Sequence, residues 1–457
     1  MTKKTRKFNL KSFLLFSIFF IGTGLSLIGP SIATPISTAQ SPECSTLNES
    51  WGEVQLVSAG SVNDSENVAV ASDGLNKTFI VWDEYNDSFS DKDIKIRMFN
   101  GNNDEWEETE DLSKGLDQVS KNPDIAIDNN NQVSVVWQDT FDNYSITTYP
   151  TIFYVNRSTD GTWTLPQNVT QTNSSNQINP SICFDENNIP HLTWSNRSLN
   201  LDEINLTYGM GVQPIEKIIT NTTIDATPQI LSDQDGTIHI IWRDNVLGNG
   251  RIFHTSYNGT WNNVEQTSDL GPLGDFNPAS AIDSEGNLYV IWGAVFTFNH
   301  YLNYKVFNPS TGSWSSANTV GNSQIGYEPD IAIDDSDNIH IVWINTTSNN
   351  DKDVLYKRYN AAEETWSSAQ LVSTNSLNYV SDPILNFDSD GTINIIWVDE
   401  TSDYISSGCD KDIFLRRLTL SKSLGNGDEL IPGYNFYIMI AVLGISSFVL
   451  LIKKFQS

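Results

Sequence analysis

The sequence predicts an all-β, seven-bladed β-propeller followed by one C-terminal transmembrane helix. Three observations carry that expectation. A two-strand segment recurs seven times, each copy ends on a Trp at a fixed distance from an Asp, and half a repeat missing from the end of the repeat region stands at its beginning.

One copy reads Asn122-Pro123-Asp124-Ile125-Ala126-Ile127-Asp128, a polar turn, then Val133-Ser134-Val135-Val136-Trp137. The recurring Trp residues are Trp82, Trp137, Trp194, Trp242, Trp292, Trp343 and Trp397. Nine residues before each lies Asp73, Asp128, Asp185, Asp233, Asp283, Asp334 or Asp388. Five residues before six of those Asp lies a Pro, from Pro123 to Pro383. Turns rich in Asp, Asn and Gly between runs of Ile and Val mark hairpins. The Pro is expected at the start of the first strand, where a missing N–H is tolerated.

A second hairpin follows in each unit. Third strands are expected around 94–99, 152–155, 302–307, 354–359 and 413–418, most leading to a second Trp such as Trp106, Trp261 or Trp366. The last unit stops after its third strand. Trp51-Gly52-Glu53-Val54-Gln55-Leu56-Val57-Ser58 matches the strand that begins at Trp366 and supplies the missing piece. Four strands per unit, a period near 50 residues and split closure point to a propeller over residues 45–421.

The ends read as targeting and anchoring segments. Lys3, Lys4, Arg6, Lys7 and Lys11 precede an apolar run and a small-residue stretch, the parts of a signal peptide over residues 1–40; an uncleaved anchor is the alternative. Residues 422–433 read as a linker and 434–454 as a membrane-spanning helix, with Lys453 and Lys454 on the cytoplasmic side and a tail at 455–457. The expected location is therefore the cell surface, with the repeats outside. Ile431-Pro432-Gly433-Tyr434, the apolar run and the Lys pair resemble the PGF-type C-terminal signal of archaeal surface proteins, with Tyr434 where that signal has Phe.

The formal net charge is −30, and both ends are basic, so the part between them is more acidic still. Such a surface repels nucleic acid and anionic lipid. Cys44, Cys183 and Cys409 are too few for a disulfide scaffold. Cys183 occupies a slot filled by Ala71, Ala126, Ala281 and Ala332, whereas Cys44 and Cys409 flank the repeats and either pair or stay free. Frequent N-x-S/T sequons, among them Asn63, Asn76, Asn168 and Asn258, suggest a glycosylated exterior.

Two kinds of candidate chemistry stand out. The turns at Asp233, Asp334 and Asp388 read either as calcium loops or as Asx turns, and none has a full set of cation ligands, so no metal or other cofactor is assigned. Asp83, Glu84, Asp139, Asp244 and Asp399 follow the first Trp of their units and are expected on the face that carries the blade-to-blade connections. There they form a ring of carboxylates around the mouth or cap turns. Phe141, Tyr144 and Tyr404 lie on the long loops beside them and complete the candidate binding set. His191, His239 and His340 share one slot and are expected to be buried packing residues.

The whole pattern resembles the sialidase-like, BNR-repeat class of secreted propellers across roughly residues 45–421. Nine residues separate Asp from Trp here, unlike the Asp-box of that class, and no Arg-Ile-Pro begins an arginine triad. The resemblance implies the fold and assigns no catalytic residue. The expected function is recognition of extracellular glycans or proteins by mouth loops, with a glycoside hydrolase or lyase and a structural envelope protein as alternatives.

Overall fold

The structure is a computed structural model. It describes residues 47–422 except 62, 86–90, 117–118, 141–148, 171–174, 199–203, 211–216, 223–226, 247–248, 270–273, 297–298, 321–325, 347–351, 374–375, 377–378 and 401–409. The signal peptide, the linker, the membrane helix, Cys44 and Cys409 lie outside the described residues. Among the described residues every regular element is a strand, and no helix is long and apolar enough to cross a membrane.

Seven antiparallel sheets follow one another along the chain, and Thr46–Ser423 forms one compact unit. Blade 1 is built from Ser65–Ser72, Lys77–Tyr85 and Lys92–Asn100, with two short outer pieces at Glu105–Trp106 and Glu110–Asp111. Blades 2 to 6 start at Val119, Ser175, Gln229, Asp275 and Tyr327; blades 5 and 6 repeat this plan, and blades 2 to 4 carry one outer strand. Blade 7 combines Val380–Phe387, Ile393–Glu400 and Lys411–Lys422 with the N-terminal pieces Leu47–Trp51 and Gln55–Leu56. Trp51 pairs with Leu418 and Leu56 with Phe414, so the N-terminal strand closes the ring as the repeat arithmetic predicts.

The second strand of each blade lies between two neighbouring sheets, which explains its unbroken apolar run. Each repeat Trp on it is at most 1% exposed. Burying seven indoles contributes heavily to the core, at 150–250 Å² of buried surface for a typical aromatic. The cores are shared between blades: Ile80 and Trp82 of blade 1 pack with Ile396, Val398 and Ile413 of blade 7.

The repeated Pro does not sit at the start of its strand. In blades 2, 3, 5, 6 and 7 it lies inside the innermost strand, at a bulge where the register slips, for example between Lys121 and Asp124, while Pro228 directly precedes its strand. The preceding residue takes a left-handed conformation: φ is 49° at Asn122, 52° at Asn179 and 50° at Asp382. Asn and Asp tolerate that region, and a bulge leaves the Pro nitrogen without a ladder partner to lose. The bulge also turns backbone donors toward the preceding blade. Asn122 N donates to Asp83 Oδ2 at 3.0 Å, Asn179 N to Gln138 Oε1 at 3.0 Å and Ile182 N to Asp124 Oδ2 at 2.9 Å. The Asn-Pro-Asp motif is thus an inter-blade stitch.

The conserved offset of Asp from Trp has a second cause. Asp128 Oδ1 accepts the N–H groups of Asn130 and Gln132 in its own hairpin turn, and Asp73, Asp185, Asp233, Asp283 and Asp334 do the same. These are Asx turns. Asp388 differs: it receives Thr78 Oγ1 of blade 1 and Arg417 Nη2 at 2.6 Å, which ties the last blade to the first.

Candidate functional site

The carboxylates that follow the repeat Trp are mostly turned into the blades. Asp83, Asp139 and Asp399 are at most 1% exposed. Trp82 Nε1 donates to Glu84 Oε2 at 3.1 Å, Trp137 Nε1 to Asp139 Oδ2 at 3.4 Å and Trp397 Nε1 to Asp399 Oδ2 at 3.2 Å. Serines nearby complete the same arrangement, with Ser65 on Glu84, Ser120 on Asp139 and Ser376 on Asp399. A ring of carboxylates around the mouth is therefore not what these three Asp form; Asp139 and Asp399 satisfy buried indoles and hydroxyls, and Asp83 takes Lys92, Asn67 and Asn122. Glu84 and Asp244 are half-buried at the ends of their strands. Phe141, Tyr144 and Tyr404 lie outside the described residues.

Asp139 keeps one oddity. Among the described residues its Oδ1 has no hydrogen-bond partner, and burial pushes its carboxyl up to about 6 against the pull of Ser120 and Trp137.

The mouth is lined by a different set of residues. Lys92, Lys352 and Lys411 each begin the third strand of a blade, two residues before a fully buried Ile94, Val354 or Ile413. His300 holds the same place in blade 5, two residues before Leu302. Blades 5, 6, 7 and 1 are consecutive around the closed ring, so the four groups form one arc.

Aromatic rings fill the gaps between these cations. The His300 and Tyr327 rings lie 6.2 Å apart, and Lys352 Nζ stands 5.6 Å from the Tyr327 ring and 5.8 Å from that of Tyr379. Lys411 Nζ stands 4.3 Å from the Tyr379 ring and makes a 2.5 Å ion pair with Glu66. Glu66 also holds Lys92 at 2.7 Å, and Lys92 pairs with Asp83 at 2.6 Å. Lys92 is thereby buried and neutralised, whereas Lys352 has no described carboxylate within ion-pair distance and is half-buried.

A cavity of about 550 Å³ lies on the ring axis, lined by the first strands of all seven blades, and Lys352 of the arc acts electrostatically on its Glu328. Its polar groups come from the bulges: Asn67, Asn122, Asn179, Asn277, Glu328 and Asp382, each at positive φ. Burial raises the carboxyls of Glu328 and Asp382 above their ordinary range, and Asp382 adds to the effect on Glu328. Together the mouth offers tyrosine faces, ammonium donors, an imidazole, amides and carboxyls around one opening. That mixture suits a polar ring compound with hydroxyls and an acidic group.

The sequence held a sign of this arc. Asp91-Lys92-Asp93, Asp351-Lys352-Asp353 and Asp410-Lys411-Asp412 are three copies of one tripeptide at one repeat position. Reading outward from Trp and carboxylates passes over it, because the lysines belong to the neighbouring strand.

The histidines of the shared slot lie elsewhere, inside their blades. His191 Nε2 lies 3.2 Å from Asp185 and its Nδ1 is 2.6 Å from the Tyr208 hydroxyl; His340 repeats this with Asp334 and Tyr356. His191 and His340 are at most 3% exposed, so these Asp-His-Tyr chains meet no substrate. Among the described residues no group of three or more His, Cys, Asp or Glu is placed to hold a metal ion. Asn63 and Asn76 are buried, whereas the sequon residues Asn168 and Asn258 are exposed.

No protein-family model matches the chain, and no curated protein does. Solved structures do match in shape. A protein of unknown function from Dyadobacter fermentans is 9% identical with a TM-score of 0.54, over 82% of this chain and 99% of that one. A polysaccharide lyase of family PL25, an ulvan lyase bound to a GlcA(1-4)Rha3S saccharide, is 12% identical with a TM-score of 0.52, over 79% and 95%. The intramolecular trans-sialidase of Ruminococcus gnavus is 10% identical with a TM-score of 0.46, over 66% and 96%. At these identities the likeness is one of fold: the chain is an all-β, seven-bladed propeller of a shape shared with glycan-processing proteins.

Proposed function

We propose that this chain is a glycan-binding propeller, held at the cell surface by residues 434–454, whose site is the arc from His300 to Lys411 at the mouth of the ring. The observation that carries the reading is the Tyr327–Lys352–Tyr379 group. It sets an ammonium with no described carboxylate at ion-pair distance between two phenol rings, within electrostatic reach of the cavity-lining Glu328, in a strongly acidic chain. Phenol faces stack on pyranose rings, and an ammonium seats a carboxylate or sulfate substituent. The saccharide on the similarly folded ulvan lyase supports a glycan reading. Inward-turned Asp83, Asp139 and Asp399 support binding over hydrolysis, since Asp83 is held by Lys92 and Asn67, Asp139 and Asp399 by indoles, and all three are buried away from the mouth's open space.

The test is a glycan array with the full chain, followed by titration of the tightest ligands. Binding is expected for sugars bearing an acidic group, with Lys352→Gln and Tyr379→Ala each weakening it about tenfold, or roughly 1.4 kcal/mol. Undiminished binding by both variants overturns the site. New reducing or unsaturated ends in the incubated ligand replace binding with turnover.

A further inference from the structure

We propose that Lys92 and Asp83 become joined by an amide bond, a cross-link made by blade 1 on itself. Four features of the site bear on it. Lys92 Nζ is 2.6 Å from Asp83 Oδ1, with the two side chains 3% and 0% exposed. A nitrogen so close to a carboxyl oxygen lies about 3 to 3.5 Å from its carbon, the separation of a near-attack arrangement. Asp83 Oδ2 accepts two hydrogen bonds, from Asn67 Nδ2 at 2.7 Å and Asn122 N at 3.0 Å, so donors already point where an oxyanion forms. Glu66 Oε2 sits 2.7 Å from the same Nζ, ready to take its proton.

The remaining surroundings favour the neutral form of Asp83 and the charged form of Lys92. A buried ion pair bears a large desolvation cost, which covalent union removes. Burial holds the Asp83 carboxyl above its ordinary range despite Lys92. Burial acts upward on Glu66 too, but hydrogen bonds from Lys411 and Lys92 bring it below its ordinary value and keep it a carboxylate. Asp83 and Glu66 hold the Lys92 ammonium up, so the reaction passes through proton transfer within the pair.

The step balances without an oxidant or a second reactant. A proton moves from the Lys92 ammonium to Asp83, leaving amine and acid. The amine lone pair attacks Asp83 Cγ, and the carbonyl electrons collect on Oδ2 beneath Asn67 and Asn122. Glu66 takes a proton from the nitrogen and returns it to Oδ1. The C–Oδ1 bond then breaks, one water leaves, and the C–N amide remains. The product closes residues 83–92 into a ring, pinning the end of Lys77–Tyr85 to the start of Lys92–Asn100.

Peptide mapping of the full chain, made in a host that adds no N-glycans, tests this. Trypsin does not cut after an acylated lysine, so the expected peptide runs from Thr78 to Lys95. Its mass should be lower by about 18 Da, one water. Lys92→Met should abolish the mass loss. Glu66→Gln should also abolish it while the protein still melts cooperatively, which separates a proton-transfer role from a folding role. Cleavage after Lys92 in the folded parent protein, with full peptide mass, overturns the proposal. A cross-link that persists in Glu66→Gln overturns the step as written.

Discussion

At the residue scale, the buried titratable groups make opposite and separable statements about pH. Burial pushes the Asp139 carboxyl up to about 6, and one of its oxygens has no partner among the described residues. A carboxyl raised on folding costs stability while both states are ionised, and the cost fades as pH falls from about 6 to about 4. Asp139→Asn is therefore expected to exceed the parent in stability by about 1–3 kcal/mol at neutral pH and to match it near pH 4. Urea melts at the two pH values check this, and an equal difference at both contradicts it. His254 runs the other way, its imidazole pushed down to about 3 by burial and by stacked His239. Its contribution is complete above about pH 6.5 and is lost as pH falls. His254→Gln should flatten the acid-side decline by up to roughly 1.4 kcal/mol per pH unit.

At the scale of the element, each blade shows which rules were legible. The Asp nine residues before Trp was readable as a turn former because its chemistry is local: it bonds N–H groups two and four residues on. Asp283 bonds Glu285 N at 3.0 Å and Asn287 N at 2.8 Å, so Asp283→Ala is expected to cost about 1–2 kcal/mol in chemical denaturation. No change in midpoint would show that the turn closes without its cap. The Pro was misplaced because a bulge is set by the neighbouring blade, to which Asn122 and Ile182 donate, and one strand read alone does not reveal that partner. The mouth arc was missed for the same reason. His300, Tyr327, Lys352 and Tyr379 come from the third strands of blades 5 and 6 and the entries to the first strands of blades 6 and 7, and their contacts exist only after the ring forms.

For the whole molecule, closure decides whether there is a site. Its seam between blades 7 and 1 is held by Lys411 on Glu66, by Arg417 on Asp104 at 3.1 Å and by Thr78 on Asp388. The N-terminal strand spans both neighbours of blade 7. Trp51 Nε1 donates to Gln370 of blade 6 at 2.6 Å, and Arg97 of blade 1 donates to Val57 O at 2.8 Å. The repeat count and the displaced half-repeat made this closure legible from sequence, because they depend on periodicity alone. Deleting residues 45–58 removes Trp51, Leu56 and Val57 from the core, a loss of several kcal/mol. A thermal melt of the full chain beside this deletion, each with and without the array-selected glycan, tests the closed ring most directly. A closed ring predicts a midpoint lower by ~10 °C or more and no ligand shift in the deletion. An unchanged, cooperative melt that the glycan still raises would contradict it.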